Sequence, residues 1–317
     1  MEFRIKLDTK EIKASNNLIS YDSKIGLIGS CFVENIGAKL EYYKFDNWIN
    51  PFGILFSPSA IEKALLSISN KKVYTNDDLI SSHEQWHSFD HHSKFSSSDF
   101  SEILSEINQN ILIAYENIKN SSHIIITLGT AWVYEYKPTN ELVANCHKIP
   151  QKEFDKKLLT VGEITKSLEN SIQLIRKLNP NIEIIISLSP VRHLKDGMIQ
   201  NSRSKAHLLN AIHDVVEKTQ KSYYFPSYEI MIDELRNYRF YTNDMLHPNH
   251  DSVAYIWKLF TDVWFTKDSY TTMQEVASIQ KGLQHKAFSP NSEAYLLFKN
   301  KLGEKQKMLF TKFGIRL

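Results

Sequence analysis

Only two cysteines, Cys31 and Cys146, occur in the 317 residues, and neither lies in a CxxC or Cys/His zinc spacing. No disulfide framework is written into the chain, and both thiols are expected to be reduced. An excess of one charge is also missing: 38 Lys and Arg stand against 36 Asp and Glu, a net of +2. That balance gives neither nucleic acid nor an anionic membrane a reason to be the main partner. No apolar run approaches the ~18 residues of a membrane span. MEFRIKLDTKEIK at the start has neither an apolar h-region nor a small-residue cleavage site, so a cytoplasmic location is the expectation. Internal repeats and low-complexity tracts are absent too. What is left, at 42% hydrophobic and 23% charged residues, is a globular chain able to bury a sizeable core.

Apolar runs rich in β-branched residues recur at 25–29 (IGLIG), 123–129 (HIIITLG), 182–190 (IEIIISLSP) and 222–227 (SYYFPS). Near-continuous runs of this kind suit strands covered on both faces, hence a parallel sheet. Between them lie helical patterns: Ile164, Leu168, Ile172 and Ile175 repeat at 3.6-residue spacing, as do Leu208, Leu209, Ile212, Val215 and Val216. Thr160 and Glu163 form a capping-box pattern ahead of the first of these. The alternation predicts an α/β fold with helical crossovers, a mostly parallel sheet between helix layers.

From about 266 the character changes. Residues 266–317 carry nine Lys or Arg against four Asp or Glu, with helical patterns interrupted at Phe288-Ser289-Pro290. The expected division is a main α/β domain over 1–265 and a helical C-terminal extension over 266–317, packed on the main domain or on a second subunit.

In open parallel sheets, function gathers at the carboxyl ends of the strands. Three polar clusters follow the apolar runs: Gly29-Ser30-Cys31, Gly129-Thr130-Ala131-Trp132 and Ser189-Pro190-Val191-Arg192-His193. The first places two nucleophile-capable side chains where a strand turns into a helix, whose free N–H groups can hold an oxyanion and lower a thiol's pKa from about 8.5 toward neutrality. Either side chain could equally be an N-cap or a small packing residue. Further on, Asp244 and His247 stand three apart in FYTNDMLHPN, ahead of a helix carrying Val253, Ile256, Leu259 and Phe260. A carboxylate at that spacing can hold one imidazole nitrogen while the other faces a nucleophile. An aspartate capping the helix beside a surface histidine gives the same letters.

GSCF, then TLGTAWVYE with ANCHK, then LSPVRH, then NDMLHPN, spread over about 25–260, resemble the GSCFA family of bacterial proteins, a branch related to GDSL/SGNH hydrolases. The resemblance implies a three-layer α/β/α sandwich, an acyl-enzyme mechanism and no metal or other cofactor. Carried over residue by residue, Gly29-Ser30-Cys31 occupies the Gly-Asp-Ser nucleophile block. Gly53 takes the place of the oxyanion glycine, Gly129-Thr130 falls on the Gly-x-Asn block, and Asp244 with His247 forms the Asp-x-x-His block. Two departures stand out. A gapless register puts the family's serine on Cys31 and its aspartate on Ser30, whereas a shift of one restores Ser30 as a serine nucleophile. The Gly-x-Asn block has no asparagine, leaving Thr130, Asn145 or a backbone N–H as the substitute donor.

Other polar residues are candidates for substrate contact: His87 and His91 in HEQWHSFDHHSKFS, His147 in ANCHK, and Arg192 with His193 after the third run. Histidines four apart on a helix can bind metal, but Ser and Phe break the 83–96 segment into a loop without four-ligand spacing, so no metal site is expected. The resulting expectation is an acyl-ester hydrolase or O-acyltransferase. Cys31 or Ser30 is its nucleophile, His247 its base and Asp244 the orienting carboxylate, and a small-molecule or carbohydrate O-acyl ester is its partner. The alternative is a binding or regulatory protein that keeps the fold without efficient catalysis.

Overall fold

A computed structural model describes residues 5–285, 288 and 292–317. Residues 1–4, at the start of the segment read for a leader, and Ser289 and Pro290 of the expected interruption lie outside the described residues.

The chain runs β1 (Lys24–Gly29), α1 (Cys31–Tyr42), β2 (Asp46–Ile49), α2 (Pro58–Ser69), β3 (Ile80–Ser82), β4 (Gln85–His87), α3 (Phe100–Asn120), β5 (His123–Leu128) and β6 (Trp132–Tyr136). It continues with β7 (Glu141–Val143), β8 (Phe154–Leu158), α4 (Val161–Leu178), β9 (Glu183–Leu188), α5 (Met198–Lys218) and β10 (Ser222–Phe225). After α6 (Ser227–Glu229) come three longer helices, α7 (His250–Trp264), α8 (Lys267–Gln284) and α9 (Glu293–Phe313).

Five strands form a wholly parallel sheet in the order β10-β9-β5-β1-β2. Side chains alternate across a strand, and here the alternation divides the core in two. Ile124, Ile126 and Leu128 of β5 and Ile184, Ile186 and Leu188 of β9 pack with the apolar faces of α2, α3, α4 and α5. Ile25, Leu27, Ile125 and Ile185 point the other way, onto Phe32, Val33, Ile36 and Leu40 of α1 and Ile256, Leu259 and Phe260 of α7. This is the three-layer α/β/α sandwich with a parallel centre. The predicted helix faces are the buried ones, and the Thr160–Glu163 capping box forms at the start of α4.

Two small sheets were not foreseen. β6, β7 and β8 make an antiparallel three-stranded sheet, and β3 pairs as a hairpin with β4, which lies within the 83–96 segment read as a loop. β8 exposes Asp155, Lys156 and Lys157, so it never shows the apolar run that marks a strand covered on both faces. The C-terminal region is helical: α8 and α9 join through a small core of Val276, Ile279, Leu309 and Ile315, and Met273 of α8 enters the α1–α7 layer. No helix among the described residues is long and apolar enough to cross a membrane.

Candidate active site

The turn from β1 into α1 is set by Gly29, which has φ +146° and passes so close to the Thr127 carbonyl of β5 that a Cβ would collide with it. The chain can therefore leave the strand sharply only without a side chain there. Ser30 follows as the N-cap of α1 in extended conformation, with its N–H donating to Thr127 O at 3.0 Å. Its hydroxyl caps nothing: Oγ is buried without a hydrogen-bond partner among the described residues, and the residue is 1% exposed. Cys31, the first helical residue, is only partly buried.

The expectation of an acidified thiol is not met. Burial raises the Cys31 pKa above its ordinary value and Glu34, one turn on, adds to the rise. The helix-terminal N–H groups of Cys31 and Phe32, and the cation of Lys205, pull the other way without overcoming it. Desolvation of a thiolate outweighs the helix N-terminus here.

Asp244 and His247 meet as their spacing suggested. The His247 Nδ1 stands 2.6 Å from Asp244 Oδ2, while Asp244 Oδ1 accepts from the Thr242 hydroxyl at 2.6 Å and from the Leu246 and His247 amides at 2.8 and 3.1 Å. The Thr242 hydroxyl first, then those amides and the imidazole, hold the carboxyl well below the usual carboxylate range. Such an anion orients the imidazole. The loop closes on itself through Thr242 N–H to His247 O at 2.8 Å.

Arg192 N–H donates to Leu246 O at 3.2 Å, tying the segment after β9 to the Asp244 and His247 loop. The Arg192 guanidinium rests over the Tyr241 ring, 4.5 Å from its centre. His193 N–H donates to Asn201 Oδ1 at 2.9 Å, and its ring leans back over the end of β5 against Phe56, centroids 5.6 Å apart. Burial, with the charges of Lys205 and His247, lowers the His193 pKa to about 4.

Lys205 escaped the sequence reading. It is 2% exposed, its ammonium donates to Ser189 O at 2.7 Å, and burial lowers its pKa to about 7 against a small rise from Cys31. A signal did exist: Asn201, Ser204 and Lys205 continue, one turn apart, the buried face of α5 that Leu208, Ala211, Ile212 and Val215 define, so polar groups occupy core positions. Electrostatic influence links Cys31 to Lys205, Lys205 to His193, and His193 to His247, all beyond the carboxyl ends of β1 and β9 or packed behind them.

The nominated oxyanion donors are engaged within the protein. Gly53 N–H donates to Asn50 O at 2.8 Å. The Thr130 hydroxyl shares a 3.0 Å hydrogen bond with Ser204 Oγ and accepts from Trp132 N–H at 3.1 Å. Asn145 Oδ1 accepts from His147 N–H at 3.0 Å. His87 and His91 of the 83–96 segment gather elsewhere with His147 of ANCHK, in an internal aromatic cluster. His87 is bonded through both ring nitrogens, to Ser96 Oγ at 2.6 Å and Ser82 O at 3.1 Å, and stacks on His147 at 4.6 Å. His91 stacks on Phe52 at 4.2 Å, and His147 Nε2 is 2.7 Å from Ser88 O. Burial above all lowers the pKa of His91 to about 3 and of His147 to about 4. Stacked and internally bonded, these three rings brace the 83–96 segment. Among the described residues no group of three or more His, Cys, Asp or Glu is arranged to hold a metal ion.

Among solved structures, the chain is similar to a carbohydrate esterase family 3 from Talaromyces cellulolyticus, with 10% identity, 81% of this chain and 99% of that chain covered and a TM-score of 0.36. It is also similar to an acetyl xylan esterase from the rumen bacterium Butyrivibrio proteoclasticus, with 13% identity, 78% of this chain and 64% of that one covered and a TM-score of 0.39. No curated protein matches it. The sequence profile of the GSCFA family matches residues 24–260, from the first residue of β1 into α7 and across every strand end described above, and the chain belongs to the GSCFA family.

Proposed function

We propose that this chain is an acyl-transfer enzyme, an ester hydrolase or O-acyltransferase that works through a covalent acyl-enzyme on Cys31. The observation that carries the reading is the Asp244–His247 dyad. Its 2.6 Å contact and fully engaged carboxylate fix the imidazole, which is about half exposed and therefore able to meet a substrate. Cys31 is favoured over Ser30 because it opens α1 with part of its surface accessible, whereas Ser30 is buried beneath the turn. A thiol raised by burial needs a base, and the dyad supplies one.

In the proposed cycle, His247 takes the Cys31 proton as sulfur bonds to the acyl carbon. The tetrahedral intermediate collapses with rupture of the ester C–O bond, and the departing alkoxide receives that proton from His247. Water, or an acceptor hydroxyl, then gives its proton to His247 as it attacks the thioester carbon, and the Cys31 sulfur leaves and is reprotonated. The substrate class, a small-molecule or carbohydrate O-acyl ester, follows from the likeness to GDSL/SGNH hydrolases. The proposed division of labour assigns the chemistry to residues 1–265 and a packing role to 266–317.

One observation favours the second reading, ligand binding without turnover: the Gly53 N–H is engaged by Asn50 O and the Thr130 hydroxyl by Ser204 Oγ of α5. A panel of p-nitrophenyl esters of short-chain acids at neutral pH separates the two. Turnover that disappears in His247→Ala supports the enzyme. Saturable binding of acylated sugars by wild-type protein that hydrolyses none of the panel supports the binding protein.

A further inference from the structure

An acyl-transfer site needs donors aimed at the oxygen that becomes anionic when the carbonyl is attacked. In this chain the asparagine of the Gly-x-Asn block is absent and its position is held by Ala131, which is fully buried. At the carboxyl edge of the sheet, His193 Nε2 is buried without a hydrogen-bond partner among the described residues. A buried imidazole nitrogen left unpaired costs free energy unless it serves a ligand.

The placement of this ring is specific. His193 follows β9, yet a Cβ added to Gly129 at the end of β5 would lie 2.9 Å from its Nε2. The sheet order β9-β5-β1 makes that a lean toward β1, whose end carries Cys31. The 55–56 segment ties the same two strand ends together, through Leu55 N–H to Gly29 O at 3.1 Å and Gly129 N–H to Phe56 O at 2.7 Å. The imidazole therefore reaches beside the glycine of the very block that lacks its asparagine.

We propose that His193 Nε2–H donates to the oxyanion formed at the acyl carbon attacked by Cys31, in place of the absent asparagine. The inference rests on the acyl-transfer reading above. Nothing is transferred in this step: the proton stays on Nε2, the hydrogen bond strengthens as charge develops on the carbonyl oxygen, and it relaxes when the C–O bond breaks. The surroundings keep the donor neutral. Burial first, then the nearby Lys205 and His247, oppose its protonation, with Asp196 acting the other way. A neutral imidazole can donate without presenting a charge that would have to be desolvated in the free enzyme. Asn201 Oδ1 on the His193 amide, and Phe56 against the ring, hold it in place.

The test uses the full chain and p-nitrophenyl acetate. His193→Leu should lower kcat by about 10²–10³ with little change in KM, and His193→Gln, which restores an N–H donor, should recover part of that loss. Nitrogen-15 NMR of histidine-labelled protein gives a readout independent of turnover: His193 should be neutral with its proton on Nε2 from about pH 5.5 to 8. A folded His193→Leu protein that keeps kcat within about threefold overturns the donor role alone. So does a His193 found protonated on Nδ1. Wild-type protein that never turns the ester over overturns the acyl-transfer reading, and this inference with it.

Discussion

His193 and Gly129 occupy one another's space: a methyl group on Gly129 would stand 2.9 Å from His193 Nε2 and 2.7 Å from Phe56 Cβ. Phe56 cannot retreat, because its carbonyl accepts the Gly129 N–H at 2.7 Å. Gly129→Ala should therefore push the imidazole aside, cost about 1–3 kcal/mol of stability, and lower kcat on p-nitrophenyl acetate. Urea denaturation and steady-state kinetics check both effects. An alanine variant as stable and as active as the parent would show that the ring does not pack where it is described.

Asp244→Asn should preserve the fold while impairing the base. The amide oxygen can still accept from the Leu246 and His247 N–H groups, which now bond Asp244 Oδ1. The amide NH₂ would face His247 Nδ1 and donate into it, driving the ring proton to Nε2, where it blocks proton abstraction from Cys31. A loss in kcat on the order of 10⁴ with unchanged circular dichroism is expected. The carboxyl's pH linkage has a definite sign. Its folded pKa is depressed, so its stabilising contribution is present above about pH 4 and fades as pH falls below that. The wild-type advantage over Asp244→Asn in denaturant midpoint should shrink on acidification through that range.

Some of this molecule is legible in its letters and some is not, for physical reasons. β1, β5 and β9 declare themselves because burial on both faces demands unbroken Ile and Leu runs, and the dyad does so because a tight loop needs its partners near in sequence. β6 to β8 stay hidden because an outlying antiparallel sheet carries half-buried and exposed positions, with Lys156 and Lys157 in the middle of a strand. The histidines of the 83–96 segment look alike in the sequence, and only the fold reveals that His91 stacks on Phe52 and His87 on His147. The sign of the Cys31 shift was equally out of reach, since a helix N-terminus is local and readable whereas desolvation depends on what packs around the sulfur.

Lys205 makes a prediction about stability against pH. An unfolded lysine titrates near 10.4, and here burial brings the folded group to about 7. Between these values the unfolded chain binds a proton that the folded chain does not, so this group makes stability rise with pH from about 7 to about 10. Below pH 7 both states are charged and the full cost of burying the cation is felt. Lys205→Met should therefore gain on wild type by about 1–4 kcal/mol at pH 6.5, and by less at pH 9.5. Urea titrations at both values decide it, and a difference independent of pH would mean that the folded amine titrates where the unfolded one does.

The neighbours Ser30 and Cys31 should respond oppositely to removal. Ser30 Oγ is buried with no partner among the described residues and makes no capping bond to α1, so Ser30→Ala deletes an uncompensated polar atom. Stability should change by less than about 1 kcal/mol, in either direction, and turnover should persist. Cys31→Ala should leave the fold intact and remove turnover, because the accessible sulfur at the head of α1 is gone. The raised thiol adds a second signature. Iodoacetamide should label Cys31 more slowly at pH 7 than it labels free cysteine, with the rate still climbing above pH 9, and Glu34→Gln should speed labelling by removing an anion that opposes the thiolate. Mass spectrometry of protein quenched during p-nitrophenyl acetate turnover should find the acetyl group on Cys31. Acetyl mapped to Ser30, together with an active Cys31→Ala, would move the nucleophile one residue back and require the turn to open before Ser30 could meet a substrate.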